Sequence, residues 1–137
     1  MTRSLFAALL MLLSLTLPFM ASAAEGGGGK VDPAYVPLNP PFVVNLQNGN
    51  QMTFMQVKVQ VLSHESAVRD ALKAQDPAIR DAMIMLLTQQ TAAAMHTVQG
   101  REKLRQEAKK AIQQVLAQNA GLKKGVEEVY FTGFVIQ

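Results

Sequence analysis

PFVVNLQNGNQMTFMQVKVQVL, residues 41–62, places two apolar runs on either side of an Asn48-Gly49 pair. Asn-Gly accepts the positive φ of a tight reversal, so the pair predicts a β-hairpin. The first arm is Phe42-Val43-Val44-Asn45-Leu46. In the second, from Thr53 onward, Met55, Val57, Val59 and Val61 point one way while Gln56, Lys58 and Gln60 point the other. Such a strand has one wet face. Burying each of its four apolar side chains is worth roughly 1.5–3 kcal/mol, so the other face must be covered.

The cover follows in the chain. Ser63 can cap a helix whose Ala67, Val68, Ala71 and Leu72 recur at helical spacing. Asp76-Pro77 starts a second helix, with Asp76 at the cap position and Pro77 where a missing N–H costs nothing. Ile79, Met83, Leu86, Leu87 and Ala94 form its stripe, and Ile84 and Met85 fall outside it. After an interruption at Gly100, Leu104, Ala108, Ala111, Ile112, Val115 and Leu116 make an apolar face that ends on Asn119-Ala120-Gly121, a glycine C-cap. The last element, Val126 to Ile136, is rich in β-branched and aromatic residues, with Val129, Phe131 and Val135 expected on one face. Strand, turn, strand, three helices, strand is an α+β order: a small antiparallel-containing sheet covered on one face by helices.

Toward the N-terminus, Pro33, Pro37, Pro40 and Pro41 favour extended chain and read as a lead-in to the domain. Before them Glu25 to Lys30 is a Gly-rich tether; with no strand ahead and no Lys-Ser/Thr pair behind, a phosphate-binding loop is disfavoured. Ser4 to Ala24 carries no charge and has nearly the length of a membrane-spanning helix, with Arg3 ahead of it. The positive-inside rule then puts Arg3 in the cytoplasm and the remaining chain on the far side of the membrane. Pro18 and the small-x-small run Ala21-Ser22-Ala23 equally describe a cleavable signal peptide. The organisation is thus 1–24 signal peptide or apolar anchor helix, 25–41 Gly/Pro-rich linker, and 42–137 one exported domain.

Composition narrows the chemistry. The 137 residues are 49% hydrophobic, enough for one core, and a net charge of +3 is too small an excess to imply nucleic acid. Without cysteine there is no disulfide framework and no thiolate metal site. His64 and His96 lack metal-ligand spacing, and no nucleophile elbow occurs, so neither metal, cofactor nor small-molecule substrate is expected and the chain reads as a non-enzyme. Asp76, Arg80 and Asp81 fit helix capping and an intrahelical ion pair.

What remains is contact surface. Ile84 and Met85 exceed what one sheet face can cover and are candidates for self-association, the competing expectation being cover by a neighbouring helix. Arg101, Arg105, Lys109 and Lys110 lie opposite the apolar face of the last helix. With Glu102 and Glu107 interspersed they read first as a solvated surface, and second as a contact for an anionic partner. Arg101 and Arg105 join Ile84 and Met85 as candidate partner-contact residues.

Four pieces in order then carry a resemblance: Pro41-Phe42-Val43-Val44-Asn45-Leu46, Asp76-Pro77-Ala78-Ile79-Arg80-Asp81, Thr97-Val98-Gln99-Gly100-Arg101, and Val129 to Gln137. Together they resemble the FliL family of flagellar basal-body-associated proteins, over Tyr35 to Gln137. The resemblance implies an inner-membrane protein with a stomatin-like periplasmic domain, no catalysis, homo-oligomeric rings, and stator and basal-body proteins as partners. It implies support of flagellar rotation, swimming or swarming and chemotaxis. The alternative is a general stomatin-like envelope scaffold with no flagellar tie. The family commonly has a longer lead before its membrane helix than the three residues here.

Overall fold

The computed structural model describes residues 34–137. The apolar segment 1–24 and the glycine tether of the linker lie outside the described residues.

Three strands form an antiparallel sheet in the order β1-β2-β3: β1 Tyr35–Asn48, β2 Gln51–Leu62 and β3 Glu128–Ile136. Asn48 pairs with Gln51, so Gly49 and Asn50 form the tip of the hairpin, and Gly49 has φ +59. A turn of this kind needs that backbone region, which glycine enters without a Cβ clash. In β2 the alternation holds throughout, with Met55, Val57, Val59 and Val61 buried.

The proline lead-in is corrected. β1 starts at Tyr35, so Pro37, Pro40 and Pro41 belong to the strand, while Pro33 lies outside the described residues. β1 is an edge strand, where a missing N–H need not break the ladder. Its pairing shifts between Leu38 and Phe42, opposite Val59 and Val57, so the strand takes up two extra residues there. Two is an even number, and Leu38 and Phe42 therefore stay on the same buried face.

The helices are α1 Ser66–Ala74, α2 Asp76–Thr88, α3 Ala92–Met95 and α4 Val98–Ala120, one more than the sequence pattern suggests. Ser63 does not cap α1. The cap position is Glu65, while Ser63 is buried, its Oγ accepting from Glu65 N–H at 3.3 Å. Asp76 is not the cap of α2 either. Gln75 both closes α1, through N–H to Ala71 O at 2.8 Å, and opens α2, accepting from Ile79 N–H at 3.0 Å. With one residue shared by two helices, Asp76 becomes the first helical residue and places a negative charge in the first turn, where the helix dipole favours it. α2 buries Ile79, Met83 and Leu87 and stops at Thr88; Ala94, placed by periodicity on the same stripe, lies in α3 instead. Arg80 makes no ion pair with Asp76 or Asp81, and its guanidinium carbon sits 4.3 Å from the centroid of the Phe42 ring.

Thr97 caps α4, and Gly121 ends it in the left-handed region at φ +69, as its sequence signal predicts. Leu104, Ala108, Ile112 and Leu116 form the buried stripe of α4, which packs with α2 over the sheet. In β3, Phe131 lies opposite Val59 and Gly133 opposite Lys58, leaving Thr132 as one extra residue. An odd insertion reverses the faces beyond it. Val129 is buried and Phe131 partly so, but Val135 is 46% exposed, and Phe134 and Ile136 pack against the core in its place. The expected Val129, Phe131, Val135 face is corrected accordingly. The result is an α+β domain with helices on one sheet face. The other face is open, with Val43, Phe54 and Val135 exposed along it.

Candidate functional site

The first turn of α4 is set by a compact junction. Thr97 Oγ1 donates to Ala94 O at 2.8 Å and accepts from Gly100 N–H at 2.9 Å, so one hydroxyl ties α3 to α4 and satisfies a helix-end donor. A Cβ on Gly100 would fall 2.0 Å from Ala94 O, so the junction closes only around glycine. From that fixed start Val98, Arg101 and Arg105 follow at intervals of three and four and share one helix face.

The bulge in β3 brings Phe134 onto the same face as Phe131, toward this side of the helix, with the two ring centroids 6.0 Å apart. Between strand and helix lies a groove of about 390 Å³. Arg101, Arg105, Phe131 and Phe134 line it, with Val98, Glu102 and Tyr130 completing the walls. The Arg101 guanidinium is 5.6 Å from the Phe134 ring centroid. Val98 is 71% exposed, an apolar side chain presented to solvent at the groove's mouth.

Arg105 is the charged hinge of this site. Its Nε donates to Glu102 Oε2 at 2.8 Å and Nη2 to Glu102 Oε1 at 2.6 Å, a bidentate pair, and Nη1 reaches Glu128 on β3. The hydrogen bonds from Arg105, and then from Gln106, lower the Glu102 carboxyl from 4.5 to about 2, while Glu102 raises Arg105 further above its usual value. Because the folded value of Glu102 lies below the ordinary one, the stabilisation it contributes is present above pH 4.5 and is lost as the pH falls toward 2. An NMR titration of the Glu102 side-chain carboxyl is expected to give a midpoint near 2, moving most of the way back to 4.5 in Arg105→Leu.

Of the four candidate contact residues, the structure brings two together. Arg101 and Arg105 line the groove, but neither stands as a plain solvated cation: one lies over an aromatic ring and the other is held by two carboxylates. Ile84 and Met85 lie elsewhere, on the outer side of α2, 44% and 58% exposed. The expected cover by a neighbouring helix does not occur within the described residues. Phe134 and Glu128 escaped the sequence reading, since no spacing rule links them to residues more than twenty positions earlier.

His64 is also partnered at long range. Its N–H donates to Glu127 Oε1 at 2.7 Å and its Nδ1 lies 2.9 Å from both carboxylate oxygens, joining the end of β2 to the start of β3 and lowering the Glu127 carboxyl. Among the described residues no three His, Cys, Asp or Glu side chains gather to hold a metal ion. The groove lining contains no nucleophile with a positioned base. It sets a cation over an aromatic floor, with Val98 and the paired charges of Arg105 and Glu102 in the walls. No helix among the described residues is long and apolar enough to cross a membrane.

Residues 35–137 match the family described as flagellar basal body-associated protein FliL. The chain is similar to the flagellar protein FliL of Aquifex aeolicus (strain VF5), 34% identical over 100 residues, which are 73% of this chain and 59% of that protein. It thus spans less than two thirds of that relative's length. The match runs from the first residue of β1 to the C-terminus, through the proline-bearing half of the strand, the Thr97–Gly100 junction and the bulged strand that builds the groove. The chain belongs to the FliL family of flagellar basal body-associated proteins.

Proposed function

We propose that the domain works on the periplasmic side of the inner membrane as a stomatin-like module that binds and supports the stator units of the flagellar motor. Segment 1–24 delivers or anchors it there. The reading is carried by one observation, the family match over the whole of the sheet and its helices. Copies of the domain assemble side by side through Ile84 and Met85. Two adjacent apolar side chains on one exposed helix face favour such a contact, because water gains when they are covered.

Deletion of the gene is expected to impair swimming or swarming, and the tagged protein to recover stator components from solubilised membranes. Normal motility in the deletion strain would count decisively against this role. Met85→Glu tests the assembly step within it. The side chain is exposed, so the substitution is expected to change stability by less than about 0.5 kcal/mol and to shift the sedimentation profile to smaller species. A variant that unfolds, or one that sediments as wild type, removes α2 from the interface.

A further inference from the structure

A second concavity, of about 420 Å³, lies between the later turns of α4 and the segment that leads into β3. Ala117 and Val126 line it together with Lys109, Lys110 and Lys123. Lysines in such a position lay their methylene stems along apolar surface and keep their ammonium groups in water. No carboxylate belongs to the lining, and none of the three lysines, nor the adjacent Lys124, forms an ion pair among the described residues.

The rest of the helix is different. Lys103 is paired with Glu107 at 3.8 Å and Arg105 with Glu102 and Glu128, and Arg101, which forms no ion pair, lies over the Phe134 ring. The interspersed acids that made this surface look merely solvated in sequence are used up there. The later turns keep an uncompensated positive charge around a hollow.

The hollow is also held in shape. Gln113 Nε2 donates to Leu122 O at 2.8 Å and its Oε1 accepts from Val126 N–H at 2.9 Å. One amide thus clasps the connecting segment on both sides of Lys123 and Lys124. A preformed site binds without the added cost of ordering its walls.

We propose that this concavity docks an acidic, partly apolar segment of a partner protein, whose carboxylates meet Lys109, Lys110 and Lys123 while an apolar side chain enters over Ala117 and Val126. Charge complementarity selects the acid, and a concavity whose Gln106, Gln113 and Gln114 amides stand beside the lysine stems, Ala117 and Val126 suits a peptide better than a flat anionic bilayer. The site is separate from the Arg101 groove and from Met85, and it does not depend on the stator assignment.

The test uses the full chain in phosphatidylcholine nanodiscs and a fluorescent peptide of alternating Glu and Leu, with empty nanodiscs as background. A peptide of alternating Gln and Leu serves as the neutral counterpart. Anisotropy is expected to show the acidic peptide binding about tenfold or more tightly than the neutral one, with a similar loss in the Lys110→Glu, Lys123→Glu double variant. Both substituted residues are exposed, and an unchanged circular dichroism spectrum checks that the variant is folded. Equal affinity for the two peptides, no binding of the acidic one, or binding untouched by charge reversal in a folded variant overturns the proposal. So does a charge-dependent association with phosphatidylglycerol vesicles in the absence of any peptide binding, which assigns the lysines to a lipid surface. Should the double variant not fold, Gln113→Ala is read instead, with a loss of acidic-peptide affinity expected and an unchanged affinity overturning the site.

Discussion

Gly100→Ala is expected to lower the unfolding free energy by about 2–3 kcal/mol in urea, a large effect for one methyl group on a helix. Alanine in a helix ordinarily stabilises by up to about 1 kcal/mol over glycine, so the expected sign is opposite to propensity. The reason is space. The added Cβ would stand 2.0 Å from Ala94 O, 2.8 Å from Ala94 C and 2.8 Å from Thr97 Oγ1. Two of the three are backbone atoms, which cannot rotate away. Relief requires α3 and α4 to separate, and this breaks the hydrogen bond from the Thr97 hydroxyl to Ala94 O, while the cap contact with Gly100 N–H must shift to clear the added methyl. Since Val98, Arg101 and Glu102 ride on the same turn, the groove loosens with the junction. The contrast is Gly49, where nothing lies within 4 Å and only the backbone angle opposes a side chain. Gly49→Ala is expected to cost the roughly 1–2 kcal/mol of the left-handed region alone. A Gly100→Ala protein as stable as wild type would show that the junction is not closed around glycine.

Phe42→Ala is expected to cost about 3–5 kcal/mol, as for other buried aromatic truncations. That is a large share of the roughly 5–15 kcal/mol that holds a domain of this size together. Phe42 is 1% exposed in the central core, beside the irregularity where β1 takes up its extra residues. Its ring also supports the Arg80 guanidinium at 4.3 Å, one nitrogen of which is buried without a hydrogen-bond partner. Truncation would open a cavity and remove the face on which that charge rests. Phe42→Leu keeps most of the volume and is expected to lose less than about half of this amount. Equal losses for the two substitutions would mean that the aromatic ring, and not the volume it fills, carries the effect.

Much of the architecture was legible because it rests on local rules. The β2 alternation is a period-two pattern over consecutive residues and holds throughout the strand. Gly121 and the hairpin glycine answer to backbone geometry at a single position. The errors lie where a local rule met a longer-range demand. Ser63 and Asp76 have good capping chemistry, but β2 runs on to Leu62 and α1 ends only one residue before α2, so the capping positions fall on Glu65 and Gln75. Three prolines spoke against a strand, and an edge position with a partner on one side accommodated them. Val135 was assigned by counting twos, and one inserted residue at Thr132 undid the count.

The candidate site was legible only in fragments. Arg101 and Arg105 stand out as cations on a helix, and Ile84 and Met85 as surplus apolar residues. Nothing in the spacing says that Arg101 meets Phe134, or that Arg105 divides its hydrogen bonds between its own helix and a strand.

By itself the sequence determined the element types, the hairpin, the buried face of the central strand and the stripe of the long helix, since these depend on periodicity and on backbone preferences of single residues. It also carried the family. The tertiary structure alone decided which cations are neutralised and which are left facing a hollow. Periodicity reports which way a side chain leaves its own element, whereas charge compensation and grooves depend on what a distant element brings opposite to it. Gly100 belongs to both. Its presence is read from the sequence as an interruption, and its necessity follows only from the carbonyl of Ala94 standing where a side chain would begin.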